Sequence, residues 1–192
     1  MLPGTLQHHA LPRTRQPGDA SVGVIKTARL TLRPPCPADL APLHAIFSDA
    51  RAMRFWSHEA HEDLARTQET LNGMVESHTQ TGLELVIERN GHVIGKAGLW
   101  RMAEIGYILH PDHWGQGLAQ EALEAVLEAA WALHPELQEI NAEIDPRNDS
   151  SARLLARLGF VETHRAERTI KVWGEWCDSA YYVLKRGAPV CT

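Results

Sequence analysis

The chain has 192 residues, 44% of them hydrophobic and 22% charged, enough apolar material for a sizeable core and a length that favours one domain. Its 19 basic and 24 acidic residues give a formal charge of −5, which argues against the broad basic surface of a nucleic-acid binder. No apolar run approaches the ~20 residues that span a bilayer, and the widely spaced Cys36, Cys177 and Cys191 form no CxxC, so the composition points to a reduced, cytoplasmic protein rather than a disulfide framework or a zinc ribbon.

Residues 1–23 carry prolines, glycines and a His8–His9 pair but no signal-peptide core, and read as a flexible leader. Residues 24–188 then read as one domain, with 189–192 as a tail. "ARLTLRPP" (28–35) alternates like a strand that its prolines stop. "CPADLAPLHAIFSDA" predicts a helix with Leu40, Leu43, Ile46 and Phe47 facing inward, and "RAMRFWSHEAHED" a loop carrying the aromatic pair Phe55–Trp56. A second helix follows over "LARTQETLNGMVESHTQ", weakened by Gly73.

Three strands come next, "LELVIERN", "HVIGKAGLW" and "AEIGYIL", the first two joined by Asn90–Gly91, a strong hairpin signal. "GLAQEALEAVLEAAWALH" has an apolar stripe through Leu118, Ala122, Val126 and Ala129/Ala130, opposite Gln120, Glu121, Glu124 and Glu128. After the strand "LQEINAEI", the segment "NDSSARLLARLGF" reads as a helix with polar caps at its entry and Gly159 at its stop. Two long strands, "FVETHRAERTIKVW" and "CDSAYYVLKR", close the chain around "GEW". The order β-α-α-β-β-β-α-β-α-β-β predicts one mixed α/β sheet with helices on both faces.

The chemistry-bearing stretch is "HPDHWGQGLAQEAL" (110–123). Gly115 and Gly117 stand where a loop becomes a helix, and a helix N-terminus offers unpaired N–H groups and about half a positive charge. The glycines fit either a turn with a cap or a phosphate cradle built from the N–H groups of residues 115–120. A dinucleotide fingerprint would need a third glycine where Gln120 stands, and a P-loop would need Gly-Lys-Ser/Thr, which is missing.

Strand, "WGQGLAQEAL", helix, strand and "NDSSARLLARLGF" together resemble the GNAT acyl-CoA N-acyltransferases, and more narrowly the RimJ/RimL-like branch. The resemblance extends over roughly residues 26–186, from "ARLTLRPPCPADLAPLHAIFSD" to "GEWCDSAYYVLKR". Trp114 departs from the Arg or Gln of the wider family's loop, and an aromatic there is common in the branch. The resemblance implies a mostly antiparallel sheet splayed between "AEIGYIL" and "LQEINAEI", with the pantetheine arm of acetyl-CoA in the gap. Backbone groups of Ile108, Leu109 and His110 would pair with that arm. The loop Trp114, Gly115, Gln116, Gly117, Leu118, Ala119 and Gln120 would hold the pyrophosphate.

The implied reaction is direct attack of a neutral primary amine, either a protein N-terminus or a small molecule, on the thioester. Glu104 is the expected base and Ser151 the expected acid toward the leaving thiolate, with Asn148 a cofactor contact; structurally, Glu104 could equally pair with Arg101 or Lys96, and Asn148 serve as a helix cap. A backbone N–H near Leu109 would meet the oxyanion. Phe55, Trp56, Trp100, Trp173 and Trp176 are the expected walls of the acceptor pocket, although any of them could be core. The overall acidity hints at a cationic acceptor, and a homodimer fits the branch. An acyl-CoA-binding sensor or structural module with little turnover is the alternative. "HEAHE" fails the HExxH spacing because His61 follows His58 by three positions, and no metal is expected there or at His110 and His113.

Overall fold

The computed structural model describes residues 21–172 and 174–187. Trp173, Cys191, most of the expected leader and the tail 189–192 lie outside the described residues. The strands are β1 (Ile25–Lys26), β2 (Thr31–Arg33), β3 (Glu84–Arg89), β4 (His92–Arg101), β5 (Glu104–Leu109), β6 (Glu139–Ile144), β7 (Val161–Val172) and β8 (Glu175–Lys185). The α-helices are α1 (Leu40–Phe47), α2 (Ala50–Met53), α3 (Leu64–Thr81), α4 (Leu118–Leu133) and α5 (Asp149–Arg157). One sheet runs in the order β1-β2-β3-β4-β5-β6-β8-β7. Its neighbours are antiparallel except β5 and β6, which run parallel.

Local chemistry sets most boundaries. Asn90 and Gly91 both take positive φ, 52° and 79°, and close the β3–β4 hairpin as that dipeptide should. Asp63 caps α3 by accepting from the Arg66 N–H at 2.9 Å, and Gly82 ends it in the left-handed region. Asn148 caps α5 through the Ser151 N–H at 3.1 Å.

Two expected elements are divided. The predicted strand 28–35 shortens to β2 because Thr27 and Leu30 form a tight turn, the Leu30 N–H donating to Thr27 Oγ1 at 3.0 Å. That turn folds Ile25–Lys26 back as β1, a strand the sequence pattern did not reveal. The predicted helix from Cys36 breaks at Ser48–Asp49. Ser48 Oγ donates to the His44 carbonyl at 2.6 Å, and the Asp49 side chain accepts from the Arg51 N–H at 2.8 Å, starting α2 inside the expected loop.

The sheet separates two cores. Leu85, Ile87, Leu99 and Ile105 meet α4 and α5 through Leu118, Val126 and Leu155. Val86 and Ile108 meet α1 and α3 through Leu43, Phe47, Leu71 and Met74 on the other face. Each fully buried side chain of this kind contributes about 1.5–3 kcal/mol. The period of two decides what faces which helix layer. Glu84 pairs with Gly98 and Gly98 with Gly106, and Val86 pairs with Lys96 and Lys96 with Ile108. These residues therefore share the α1/α3 face, as does Glu104, two residues before Gly106, while Ile105, Tyr107 and Leu109 point to the α4/α5 face.

Candidate active site

Among the described residues, β5 and β6 pair at one position, Glu104 opposite Asn141, and the Asn141 N–H donates to the Ala103 carbonyl at 2.6 Å. Beyond it the two parallel strands leave a gap. A cleft of about 1530 Å³ opens there, lined by residues of both faces, from Trp56 and Glu104 on one side to Gly117, Ser151 and Arg157 on the other.

The edge of β5 that borders the gap is the Leu109 edge. His110 N–H donates to the Ile94 carbonyl at 2.8 Å, so alternate residues Ile108 and His110 bond toward β4, and Leu109 faces away from it. The Leu109 carbonyl accepts from the Trp114 indole at 2.9 Å, which leaves its N–H at the gap. Trp114 thus braces strand to loop, although its ring is half exposed.

The loop after β5 is held open as a cradle. Gly115 and Gly117 have φ of 69° and 72°. Helix α4 begins with the Glu121 N–H on the Gly117 carbonyl at 3.1 Å, so the N–H groups of residues 118–120 have no intrahelical partner. Arg29 fixes the outer side of the loop: its guanidinium donates to the Gln116 carbonyl at 2.8 Å and to Glu121 at 2.6 Å. That partner and the Thr27 hydroxyl hold the Glu121 carboxyl below its ordinary range against the opposing effect of burial. Unpaired N–H groups, exposed glycines and an unbonded strand edge leading away from them fit a pyrophosphate with an amide-bearing arm. The residues present therefore suit coenzyme A.

On the α1/α3 face, Glu104 lines the cleft with both oxygens engaged. Oε1 accepts from the Trp100 indole at 3.1 Å and Oε2 from Arg101 Nε at 2.8 Å. Beside it the Lys96 ammonium donates to Glu84 Oε1 at 2.6 Å and sits 5.6 Å from the Trp56 ring centroid. Both members of this pair are buried, and Glu84 Oε2 has no partner. A side chain at Gly98 would overlap the Leu83 carbonyl and come within 2.9 Å of Glu84 Oε2, so this floor has to be bare. On the opposite wall Ser179 donates to Glu143 at 2.5 Å and Arg147 holds Asp145, keeping that carboxyl low against desolvation.

The structure brings most of the expected residues to this cleft: Phe55, Trp56, Trp100, Glu104, Ile108, Leu109, Trp114, Gly115, Gly117, Leu118, Ala119, Gln120, Asn148 and Ser151 line it. Three others do not line it. Trp176 lies on β8 between the cleft-lining Glu175 and Cys177, so strand alternation turns its ring away, beneath the Arg168 guanidinium at 5.3 Å. Gln116 is tied back by Arg29, by Arg89 on its Oε1 and by its own bond to the Asp112 carbonyl. His110 bonds its amide to β4 and accepts from the Asp112 N–H with Nδ1. Trp173 lies outside the described residues.

Groups of the cleft that sequence reasoning missed include Glu84, Tyr107, Glu143, Asp145, Arg147 and Ser179, and Lys96, considered only as a partner of Glu104, pairs with Glu84 instead. A carboxylate inside the apolar run "LELVI" and a phenol inside "IGYIL" were the available signals. The discounted "HEAHE" histidines form a stack, His58 on His61 at 5.0 Å and His61 on Phe47 at 5.1 Å, with His61 Nδ1 at 2.9 Å from the Thr67 hydroxyl.

Residues 29–161 match the family described as Acetyltransferase (GNAT) domain. The chain is 28% identical over 171 residues to "Uncharacterized N-acetyltransferase p20" of Bacillus licheniformis, covering 83% of this chain and 95% of that protein. Its fold is similar to that of the spermidine N-acetyltransferase from Vibrio cholerae, solved with CoA and spermine, with a TM-score of 0.70, 21% identity, and 84% of this chain and 98% of that one covered. It is also similar to the Salmonella typhimurium acetyltransferase that modifies the N-terminal serine of ribosomal protein L7/L12, with a TM-score of 0.70, 18% identity, and coverages of 83% and 96%.

Proposed function

The chain belongs to the GNAT acetyltransferase family, and from that membership we propose that it transfers an acetyl group from acetyl-CoA directly to a primary amine, as a member of the RimJ/RimL-like branch. The observation that carries this reading is the continuity of the cleft. It runs from the glycine loop at the start of α4, through the gap between β5 and β6, to Glu104 on the far face. Cofactor and acceptor would thus enter from opposite sides and meet at the strands.

Acetyl-CoA supplies the activated acetyl carbon as a thioester. The N–H groups of residues 115–120 hold the pyrophosphate end, and the free edge at Leu109 aligns the arm. The Leu109 N–H is placed to meet the negative charge that grows on the carbonyl oxygen. Glu104 takes a proton from the amine, which at neutral pH is largely an ammonium ion. Trp100 and Arg101 orient its carboxylate. Trp56 and Phe55 form the apolar lid on the acceptor side. The acceptor amine is a polyamine-like small molecule or a protein N-terminus, the two kinds of amine named for the neighbours.

The test is release of free thiol from acetyl-CoA across a panel of polyamines, amino acids and peptides with free N-termini. Turnover with at least one acceptor is expected, and Glu104→Gln should lower kcat by about 10²- to 10⁴-fold with CoA affinity kept. Full activity in Glu104→Gln removes the base assignment. Tight CoA binding with no release on any amine favours an acyl-CoA-binding module, a reading to which the double engagement of Glu104 lends some support.

A further inference from the structure

We infer that Glu143 is a specificity-determining residue of the acceptor side: its carboxylate takes a second positive charge carried by the acceptor amine. The inference rests on the acetyl-transfer reading above and names the acceptor's charge. Parity and register place Glu143. Ile140 and Ala142 of β6 pack into the α4/α5 core, so Asn141 and Glu143 point to the α1/α3 face with Glu104. Asn141 pairs with Glu104, and two residues on, about 7 Å at the rise of a strand, Glu143 stands level with Gly106 across the gap. Its side chain is exposed and lines the cleft.

The charge of Glu143 is left open to the cleft. Glu84 faces Lys96, Glu104 faces Arg101 and Asp145 faces Arg147, each within 2.6 Å. Glu143 takes part in no ion pair among the described residues. Ser179 instead, 3% exposed, donates its one proton to Glu143 Oε1 at 2.5 Å. The Thr169 hydroxyl shares its own proton between the Ser179 oxygen at 2.6 Å and the Cys177 carbonyl at 3.2 Å. Neutral donors of this kind fix the direction of a carboxylate without cancelling its charge. The second oxygen, Oε2, takes part in none of the described hydrogen bonds and is left for a ligand. On the opposite wall the Lys96 ammonium lies 3.8 Å from the point where a Cβ on Gly106 would stand, so the β5 side already carries a cation at this level. A second ammonium on the acceptor is therefore drawn to the β6 wall, while the reacting amine stays with Glu104.

The experiment measures kcat/KM for putrescine, pentylamine and δ-aminovalerate, amines of matched length that end in an ammonium, a methyl and a carboxylate. Peptides with lysine, norleucine or glutamate after the N-terminal residue form a parallel series, which shows whether the second charge sits on a small molecule or on a peptide. In at least one series the cationic member, counted per reacting amine, should exceed the neutral one by about tenfold, the low end for a hydrogen bond to a charged group at an exposed site. That excess should shrink as salt is raised. Glu143→Gln should bring the ratio near one, and Glu143→Lys should turn the preference to the carboxylate member. Both changes are at an exposed side chain, so they report charge rather than folding. Ser179→Ala should lower the ratio partway, because the charge stays while its direction is loosened. Equal or faster turnover of the neutral member in both wild-type series overturns the inference, as does a wild-type ratio in Glu143→Gln. Thiol release with none of the amines is a distinct result, which overturns the acetyl-transfer reading itself and this inference with it.

Discussion

The Lys96 ammonium lies 2.6 Å from Glu84, both side chains buried on adjacent strands beneath Trp56. Two charges withdrawn from water repay their desolvation only while both are present. Lys96→Met alone should leave an uncompensated carboxylate with two bare oxygens and cost about 3–5 kcal/mol. Pairing it with Glu84→Leu should recover most of that loss, because an apolar pair of similar volume carries no charge to desolvate. Urea unfolding of the single and double variants measures this. Equal destabilisation in both would show that packing, not charge, dominates the site.

The glycine loop yields a second prediction, in which backbone strain acts without crowding. A methyl group on Gly115 would meet nothing within 4 Å, so Gly115→Ala acts through φ alone. A non-glycine residue in the left-handed region costs roughly 1–2 kcal/mol. The strained loop can relieve itself by turning its N–H groups, which would weaken CoA binding more than it destabilises the fold. At Gly117 the added carbon would lie 3.5 Å from Arg29 Nη2, an ordinary contact, so Gly117→Ala should also act through its positive φ. Calorimetric CoA affinity beside thermal melting separates loss of binding from loss of stability. Unchanged CoA affinity in Gly115→Ala would remove this loop as the phosphate cradle.

What was legible in the sequence follows from how local each cause is. Asn90–Gly91, Asn148 and Gly117 act within a few residues, and their turns and caps lie where the sequence indicates. The GNAT cleft was legible because its loop and α5 carry spaced motifs. Strand β1 was not, since a two-residue strand has no period and exists only through its turn at Thr27–Leu30. The Glu84–Lys96 pair depends on the register of β3 against β4. Trp176 shows the sharpest limit: one residue of strand parity decides between pocket wall and outer face, and the joint at "GEW" starts β8 two residues before the predicted strand.

The His58–His61 stack gives the pH dependence of stability. His61 is 3% exposed, packed on Phe47, and burial lowers its pKa to about 4. His58, His78 and His113 are also lowered, chiefly by burial. A histidine whose folded pKa lies below its unfolded value of about 6.5 is favoured by folding while neutral. The stability is therefore complete above about 6.5. As pH falls from there toward 4, the unfolded chain binds protons that folded His61 refuses, and stability declines. Asp49, held at about 2 by the Arg51 guanidinium, and Asp39, held low by Arg33 and the Cys36 N–H despite burial, are lost only at still lower pH. The acid arm should thus begin in the histidine window, before the carboxylates contribute. Urea unfolding at a series of pH values from 8 to 4 should show that early slope in the wild type and a shallower one in His61→Gln. An identical slope in the two proteins would mean that His61 titrates alike in the folded and unfolded chain, against its burial.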